Sequence, residues 1–329
     1  MRIYAGIDEA GYGPLLGPLA ITTAVLTLDG PDNPEDPTPD LWARLPKTLC
    51  RTRTEARDGR IAVNDSKKIY TPKSGLKHLE RGVLAFLALG GDRPDRFDHY
   101  LAAVGERRHR NLADLPWYAP SEDAPWQSLP TTITNGEAAV DANALAVGAE
   151  GAGIQTHAIR TTLVLADQFN TIARQTRNKA NLSFGIIARH LVGLWRRLGE
   201  RDPQVVIDRQ SGRRHYREPI AQCLPEVQIA VIEESDRQSV YRLTGQGRSM
   251  TLTFATGADE HHLPVALASM AAKYSRELMM VRLQHWFTRH LPEIRPTAGY
   301  GRDGRRFKEE VTPHLAELKI DPDRLWRIC

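Results

Sequence analysis

Residues 4–19 of the chain read YAGIDEAGYGPLLGPL, and the remaining sequence is best understood around this stretch. It begins as an apolar run, reaches two adjacent carboxylates at Asp8 and Glu9, and then breaks into glycines and prolines. A second apolar run follows over residues 19–28. The pattern predicts a strand, a tight acidic corner and a partner strand. Because the glycines of the corner carry no Cβ, its main chain can come close to a ligand such as a phosphodiester.

The composition is that of an ordinary globular protein. The 329 residues are 41% hydrophobic, which is ample for the packed core of one large domain or of two smaller ones. Three cysteines without close spacing argue against a disulfide framework and against a thiolate metal site. The net charge of +4 permits a polyanionic partner without requiring one. We find no signal segment and no apolar stretch long enough to span a membrane, so we expect a cytoplasmic protein.

Two further stretches combine charge with a helical pattern. Residues 65–68 read DSKK, and Thr71 followed by Pro72 predicts the start of a helix that runs to about Leu89. A long helix is predicted over 264–291, and its first half reads PVALASMAAKYSRE. The many small residues of this helix allow it to pack closely on a sheet.

Together the three stretches resemble the type 2 ribonucleases H (ribonuclease HII). The family signature is an acidic pair followed by Ala-Gly-Arg-Gly-Pro and Gly-Pro, and this chain has Tyr12 in place of the arginine. The DSKK motif before a helix holds the same place in the order. The family's later helix has small residues around a serine, then Ala-Lys and Arg-Asp, and here Glu277 replaces the aspartate. The resemblance implies an α/β, ribonuclease H-like fold with a mixed central sheet and flanking helices.

We expect one ribonuclease H-like domain over residues 1–329. The irregular pattern of 90–153 predicts an insertion or a small subdomain, and 236–256 predict an inserted hairpin. The last part, 264–329, is predicted to be helical and to close the substrate groove. Three more strands of the sheet are predicted over 156–165, 203–208 and 226–232.

Four carboxylates are the candidate catalytic residues and metal ligands: Asp8, Glu9, Asp208 and Asp259. Asp8 and Asp208 each end a predicted strand, and the first and fourth strands are neighbours in a ribonuclease H-like sheet. Asp259 lies ten residues before Ser269, which is the separation that the resemblance implies. Because a hairpin is predicted upstream of Asp259, three alternatives to it stay open: Glu234, Asp236 and Glu260.

Clustered carboxylates suit phosphodiester hydrolysis by divalent ions. Mg²⁺ and Mn²⁺ prefer oxygen ligands, and in two-metal sites one ion activates water while the other stabilises the leaving oxygen. The like charges of such a cluster are tolerated because the ions neutralise them. We therefore expect Mg²⁺ or Mn²⁺ as the cofactor.

The residues predicted to contact the substrate lie in the same stretches and near the C-terminal end: Gly11, Tyr12, Gly13, Lys67, Lys68, Lys273, Arg276 and Tyr300. The cations suit backbone phosphates, and a tyrosine in a Gly-Tyr pair after the long helix is the family's ribose-stacking residue. The family resemblance implies an endoribonuclease that hydrolyses the RNA strand of RNA/DNA hybrids. Its substrates could include DNA that contains ribonucleotides, and its products would carry 3′-hydroxyl and 5′-phosphate ends.

Two alternatives remain at the level of sequence. One is a nucleic-acid-binding relative with weak catalysis, against which the retention of all four acidic positions argues. The other is a nuclease of the same superfamily that acts on DNA, which the absence of the family arginine at Tyr12 favours.

Overall fold

The structure of the protein is a computed structural model. It describes residues 1–30, 38–71, 73–105, 112–119, 128–176, 179–209 and 213–328. Within these residues the strands are β1 (Arg2–Ala10), β2 (Leu19–Leu28), β3 (Leu49–Cys50), β4 (Ile61–Ala62), β5 (Ile154–Val164), β6 (Gln204–Asp208), β7 (Gln228–Glu234), β8 (Gln238–Gly245) and β9 (Arg248–Ala255).

The helices of the described residues vary from one turn to 28 residues in length. They are α1 (Leu41–Arg44), α2 (Ser66–Ile69), α3 (Lys77–Leu89), α4 (Phe97–Ala103), α5 (Asn135–Ala152), α6 (Ala166–Thr176), α7 (Lys179–Leu198), α8 (Arg217–Cys223), α9 (Ala258–His261), α10 (Leu263–His290), α11 (Gly301–Val311) and α12 (Pro322–Leu325). Short 3₁₀ turns lie at Glu55–Asp58, Gly199–Arg201 and Thr312–His314. In the part of the chain that is described, no helix is both long enough and apolar enough to cross a lipid bilayer.

A seven-stranded mixed sheet forms the centre of the molecule, in the order β5-β2-β1-β6-β9-β8-β7. β1 and β2 pair antiparallel along their whole length, from Arg2 opposite Leu28 to Ala10 opposite Ala20. β6 lies on the other side of β1 and runs parallel to it. The first and fourth long strands are therefore neighbours, as predicted. The predicted ribonuclease H-like α/β fold, with a mixed central sheet and flanking helices, is confirmed.

The hairpin predicted within 236–256 forms as β8 and β9, but it is an integral part of the sheet. β9 pairs in parallel with β6, so the second strand of the hairpin is the next strand of the sheet. The strand predicted over 226–232 corresponds to β7, which lies at the sheet edge beyond β8. As a result, Asp259 comes one short turn after β9, the strand that lies next to β6.

Helices cover both faces of the sheet. The alternation of side chains along β1 sends Tyr4 into a core with α3, α10 and α11, and sends Ile3 and Ile7 into a second core with α7 and α8. β2 is buried along its entire length because it contributes to both cores.

The helix α10 crosses directly over β1 at Gly6. A Cβ on Gly6 would lie 2.2 Å from the main-chain carbon of Pro264 and 2.2 Å from the main-chain nitrogen of Val265. No side chain can occupy that space, so only glycine permits this approach. The small residues of the helix, among them Ala268 and Ser269, are buried against the sheet, as their pattern predicts.

Two sequence predictions differ from the structure in this part of the chain. The helix predicted to start at Thr71 starts at Lys77, because the hydroxyls of Thr71 and Ser74 bond to each other's main-chain N–H groups and close a turn. Pro72 lies outside the described residues. The segment 90–153, predicted as irregular, contains the 18-residue helix α5. This helix is rich in alanine and has no amphipathic period, so its start is marked only by a capping box between Thr134 and Glu137.

A buried carboxylate joins this segment to the main body. Glu80 on α3 is completely buried and accepts hydrogen bonds from the main-chain N–H and the hydroxyl of both Thr131 and Thr132, at 2.6–2.8 Å. The hydroxyl of Tyr274 on α10 donates a further bond of 2.7 Å. All donors here require an acceptor, and only a carboxylate satisfies them all.

We therefore predict that Glu80→Gln destabilises the protein by about 2–4 kcal/mol, because the amide group of glutamine places a donor against buried donors. The measurement is denaturant unfolding followed by tryptophan fluorescence. Glu137→Gln is the matched control: its carboxylate is exposed in a capping box that glutamine also supports, so it should change stability by less than about 0.5 kcal/mol. Equal effects of the two substitutions would contradict the role assigned to Glu80.

Candidate active site

Asp8 and Asp208 lie side by side at the ends of adjacent parallel strands. Ile7 is the register partner of Ile207, so the next residue of each strand is an aspartate. The carboxylate of Asp208 accepts a hydrogen bond from the main-chain N–H of Ala258 at 3.0 Å, at the start of α9. This bond fixes the turn after β9 against the end of β6, and it brings Asp259 to the same place.

Burial and neighbouring charges shift the pKa values of these carboxylates. Burial and the charge of Asp208 raise the pKa of Asp8 well above its usual range, although a hydrogen bond from the Ser269 hydroxyl partly offsets the shift. Burial also raises the pKa of Asp208, against the effect of the Ala258 N–H. Burial, the charge of Asp65 and the charge of Asp208 raise the pKa of Asp259 to about 7. The site is therefore acidic and partly buried, and Asp259 is its most buried carboxylate.

Asp65 is a fourth member of this cluster that the sequence analysis did not single out. Its side chain hydrogen-bonds Asp259 and raises the pKa of that residue. It also caps α2, accepting a hydrogen bond from the main-chain N–H of Lys67 at 2.9 Å. The one signal in the sequence was its place in the DSKK motif. An aspartate directly before a helix is ordinarily explained as a cap, which is also true here.

Glu9 lies on the other side of β1. Because side chains alternate along a strand, Asp8 faces α10 and Glu9 faces α7, where it accepts a hydrogen bond from the hydroxyl of Ser183. The charge of Glu9 also contributes to the raised pKa of Tyr12, after burial. The structure thus brings together three of the four predicted carboxylates and adds Asp65, while Glu9 occupies the adjacent position on the opposite face.

The three alternatives to Asp259 are each paired elsewhere. Glu234 accepts hydrogen bonds from the Tyr241 hydroxyl and from His215. Asp236 pairs with Arg214 at 2.7 Å, and Glu260 pairs with Lys68 at 2.7 Å. All three carboxylates therefore have cationic or hydrogen-bonding partners outside the cluster, and Asp259 is the one that lies within it.

The carboxylates of the cluster are the type of ligand that a divalent cation prefers. Asp8, Asp65, Asp208 and Asp259 come from four separate segments and offer only oxygen ligands, which Mg²⁺ and Mn²⁺ prefer. Among the described residues, no group of three or more His, Cys, Asp or Glu side chains is gathered closely enough to hold a metal ion as it stands. A bound cation would draw these carboxylates together, because it would neutralise the repulsion between their charges.

Two buried arginines hold the glycine-rich loop beside the cluster. Arg327 donates to the carbonyl oxygens of Gly11 and Tyr12 at 2.7 and 2.9 Å. Arg276 donates to the carbonyl of Leu16 at 3.2 Å, and a Cβ on Gly11 would lie 2.6 Å from the Arg276 side chain. Since Gly11 also has a φ of +83°, it is a position in this loop that favours glycine strongly.

The predicted phosphate contact by Arg276 is wrong for this structure, because its side chain is completely buried. Its guanidinium group bonds to Glu277 and to the carbonyl of Ala298, and lies 4.9 Å from the ring centre of Tyr300. Lys273 also has partners within the protein: its ammonium group pairs with Glu277 at 2.7 Å and lies over the ring of Tyr70, 4.6 Å from the ring centre. The two cations predicted on this helix therefore organise the site rather than face solvent.

The other predicted contact residues are at the surface. Tyr300 is 42% exposed, Gly13 is exposed, and Tyr12 is half-buried. Lys67 is exposed and close enough to Asp208 and Asp259 to lower the pKa of both, while Lys68 is held by Glu260. Lys67 thus lies next to the acidic cluster, and Tyr300 is an accessible ring beside Arg276, which holds the glycine-rich loop.

Comparison with known proteins gives structural likenesses at low sequence identity. No family model matches the chain, and no curated protein matches it. The PCNA:RNase HII complex from Archaeoglobus fulgidus is 14% identical, covering 99% of this chain and 92% of the other, with a TM-score of 0.43. Ribonuclease H2 from Pyrococcus horikoshii OT3 is 18% identical over 98% of this chain and 92% of the other, with a TM-score of 0.45.

A third solved structure, Bst-RNase HIII in complex with Mn²⁺, is 13% identical. The match covers 99% of this chain and 66% of the other, with a TM-score of 0.40. These proteins are type 2 ribonucleases H, the family that the sequence motifs resemble.

The raised pKa of Asp259 predicts a pH-dependent cost to stability. An unfolded aspartate titrates near 3.8 and folded Asp259 at about 7. The folded state therefore holds this proton more tightly, so stability falls as the pH rises from about 4 to about 7, and the whole cost is present above that range. Asp259→Asn removes the titrating group. In metal-free buffer, it should raise Tm relative to wild type more at pH 8 than at pH 5.

The measurement is thermal unfolding at both pH values, with Asp236→Asn as the matched control. Asp236 is exposed and ion-paired at the surface, so its substitution should shift Tm by a similar small amount at both pH values. A Tm difference for Asp259→Asn that does not grow with pH would contradict the assigned environment.

Proposed function

We propose that this protein is a divalent-metal-dependent endonuclease that hydrolyses the RNA strand of RNA/DNA hybrids, with Mg²⁺ or Mn²⁺ as its cofactor. The observation that supports this most directly is the meeting of Asp8, Asp208, Asp259 and Asp65 at one end of the central sheet. Burial raises the pKa values of Asp8, Asp208 and Asp259, and neighbouring carboxylates add to the rise; groups with such raised pKa values concentrate at functional sites. The family resemblance of the surrounding motifs points to the same reaction.

When bound, the cations would activate water and stabilise the leaving oxygen of the phosphodiester. Asp8, Asp208 and Asp259 are the residues that would hold them, with Asp65 beside Asp259. The chain's own contribution is to hold these oxygens in place: the main-chain N–H of Glu9 donates to Asp8 at 2.7 Å, and the main-chain N–H of Ala258 donates to Asp208 at 3.0 Å. Pre-positioned ligands reduce the reorganisation that the reaction requires.

The surroundings of the cluster suit a nucleic-acid substrate. Lys67 offers a positive charge to a phosphate next to the cluster, and the exposed ring of Tyr300 offers a flat surface to a ribose or base. Arg327 and Arg276 hold the glycine-rich loop from behind, which leaves the exposed main chain at Gly13 free to approach a sugar. The proposed products carry 3′-hydroxyl and 5′-phosphate ends.

We predict that Asp8→Asn and Asp208→Asn each lower turnover by at least about a hundredfold, since losing a charged ligand removes several kcal/mol of transition-state stabilisation. Asp259→Asn should be similarly impaired. The carboxylates of Asp236 and Glu260 are paired outside the cluster. The turnover of Asp236→Asn and of Glu260→Gln should therefore stay within about tenfold of wild type, which corresponds to a change of at most about 1.4 kcal/mol in activation free energy. The assay is cleavage of a labelled RNA/DNA hybrid with Mg²⁺ or Mn²⁺. Near-wild-type turnover by Asp8→Asn or Asp208→Asn would refute the carboxylate site.

Metal binding provides a readout that is independent of turnover. Mn²⁺ should raise the Tm of the wild-type protein and should raise that of Asp8→Asn markedly less, because binding to the folded state stabilises it in proportion to affinity. Equal shifts in both proteins would place the metal elsewhere. If the wild type binds Mn²⁺ and hybrid but cleaves neither strand, the alternative of a binding protein with weak catalysis becomes the better assignment.

Tyr12 is the test of substrate choice. A tyrosine supplies no charge-assisted bond to phosphate, and such a bond contributes about 1–3 kcal/mol. We therefore predict that Tyr12→Arg lowers the KM for hybrid by about fivefold or more, whereas Tyr12→Phe, the uncharged control, leaves KM within about twofold. Both variants and the wild type should cleave a duplex that contains a ribonucleotide tract and should leave an all-DNA duplex intact. Equal cleavage of the two duplexes would favour the DNA-acting alternative.

A further inference from the structure

A row of arginines follows one side of α7, away from the acidic cluster. Arg189, Gly193 and Arg197 are spaced by four residues, and Arg201 comes four residues later in the 3₁₀ turn that ends the helix. Residues four apart are neighbours on a helix surface, so Arg189 and Arg197 lie along one side of α7, and Arg201 follows beyond the end of the helix. The three arginines are exposed, and at 1.5 Å per residue they span about 18 Å.

The edge strand β5 adds a fourth cation opposite this helix face. Arg160 on β5 is exposed and lies with Arg197 and Arg201 around His157, where all three guanidinium groups lower the pKa of that imidazole in addition to burial. Arg197 and Arg189 act in the same way on the buried His190. We call Arg160, Arg189, Arg197 and Arg201 the arginine row.

The arginine row stands on a rigid base. His190 is held between the hydroxyl of Thr23 on β2, at 2.7 Å, and the hydroxyl of Thr162 on β5, at 2.9 Å. α7 is thereby fixed to the sheet at the middle of the row. At Gly193, a Cβ would lie 2.9 Å from the guanidinium group of Arg197. The missing side chain thus gives Arg197 room to fold back along the helix, which concentrates positive charge.

The row has no acidic partners in the part of the chain that the structure describes: none of its four arginines forms an ion pair there. The two carboxylates next to it in sequence are used elsewhere, because Glu200 pairs with Arg248 and Asp202 pairs with Arg242. Like charges held together on a rigid surface without counter-charges repel one another, and a bound polyanion would relieve that repulsion.

One end of the row lies near the end of β1, on the face of the sheet that carries Glu9. Arg189 lines a cavity of about 310 Å³ between α6, α7 and the end of β5, together with Thr162, Thr171, Gln168 and one carboxylate, Asp167. Thr162 pairs with Ile21 on β2, which in turn pairs with Glu9 at the end of β1. Two strand spacings, about 10 Å, therefore separate Thr162 from Glu9, on the face of the sheet opposite to Asp8 and the acidic cluster.

We infer that the arginine row is a docking surface for the phosphodiester backbone of a nucleic-acid duplex that extends beyond the cleavage site. Successive phosphates of one strand are about 3.4 Å apart along a duplex axis, so a row of about 18 Å faces about five phosphates. The identity of the partner rests on the proposed function. The surface itself includes none of the proposed catalytic residues, and it holds the duplex through charge without reading its sequence.

The test is binding of a labelled RNA/DNA hybrid of about twenty base pairs in EDTA, by fluorescence anisotropy over a range of salt concentrations. The variant is Arg189→Gln with Arg197→Gln and Arg201→Gln. The matched control removes the same charge from exposed cations on other surfaces: Lys47→Gln with Arg93→Gln and Lys319→Gln. Thermal unfolding of each variant establishes that it is folded.

The arginine variant should bind the hybrid at least about tenfold more weakly near 0.1 M salt, with a salt slope smaller by about 2–3, because about three phosphate contacts are lost. The control should keep the wild-type affinity and slope. Equal losses of hybrid affinity in both variants, or no loss in either, would overturn the inference. Binding of each variant to anionic lipid vesicles is measured in parallel. If the arginine variant lost vesicle binding but kept hybrid binding, the inference would also be overturned. A wild-type protein that binds hybrid through the row but does not cleave it would refute the proposed function alone.

Discussion

The contact between Gly6 and the start of α10 is the constraint on which the rest of the structure depends. Main-chain atoms of Pro264 and Val265 occupy the space where a side chain of Gly6 would lie, so the longest helix of the described residues passes over β1 at the closest possible distance. Because the helix is rigid, this contact sets the position of every later residue on it. Ser269 then reaches Asp8, and Arg276 reaches the glycine-rich loop.

The acidic cluster is unfavourable to the fold on its own. Burial and mutual repulsion raise the pKa values of Asp8, Asp208 and Asp259, and the hydrogen bonds from Ser269 and Ala258 offset only part of that cost. The surrounding protein supplies the compensation through its two apolar cores and through contacts such as the fully bonded carboxylate of Glu80. Such local conflicts between stability and charge are expected where a site must bind a cation.

Burial divides the cations of this protein into two groups. Arg276 and Arg327 are buried, and their guanidinium groups satisfy main-chain carbonyls of the glycine-rich loop. Lys67 and the arginine row are exposed, and their charge is presented to solvent. The first group shapes the site, whereas the second offers binding energy to a polyanion. The modest net charge of +4 conceals this division, because it sums both groups with the carboxylates.

The sequence by itself determined the elements whose signal is local: β1 and β2, the long helix α10, and the placement of Asp8 and Asp208 near strand ends. Only the family resemblance implied that these two strands are neighbours. Periodicity and the dihedral limits of glycine and proline act over a few residues, so they can be read directly from the chain. The tertiary structure alone decided the sheet position of β9, the approach of Asp65 to Asp259, and the burial of Arg276. It also revealed α5, whose alanine-rich sequence has no amphipathic period. Strand partners, the proximity of charges and the exposure of a side chain depend on contacts between residues distant in sequence, and no local pattern encodes them.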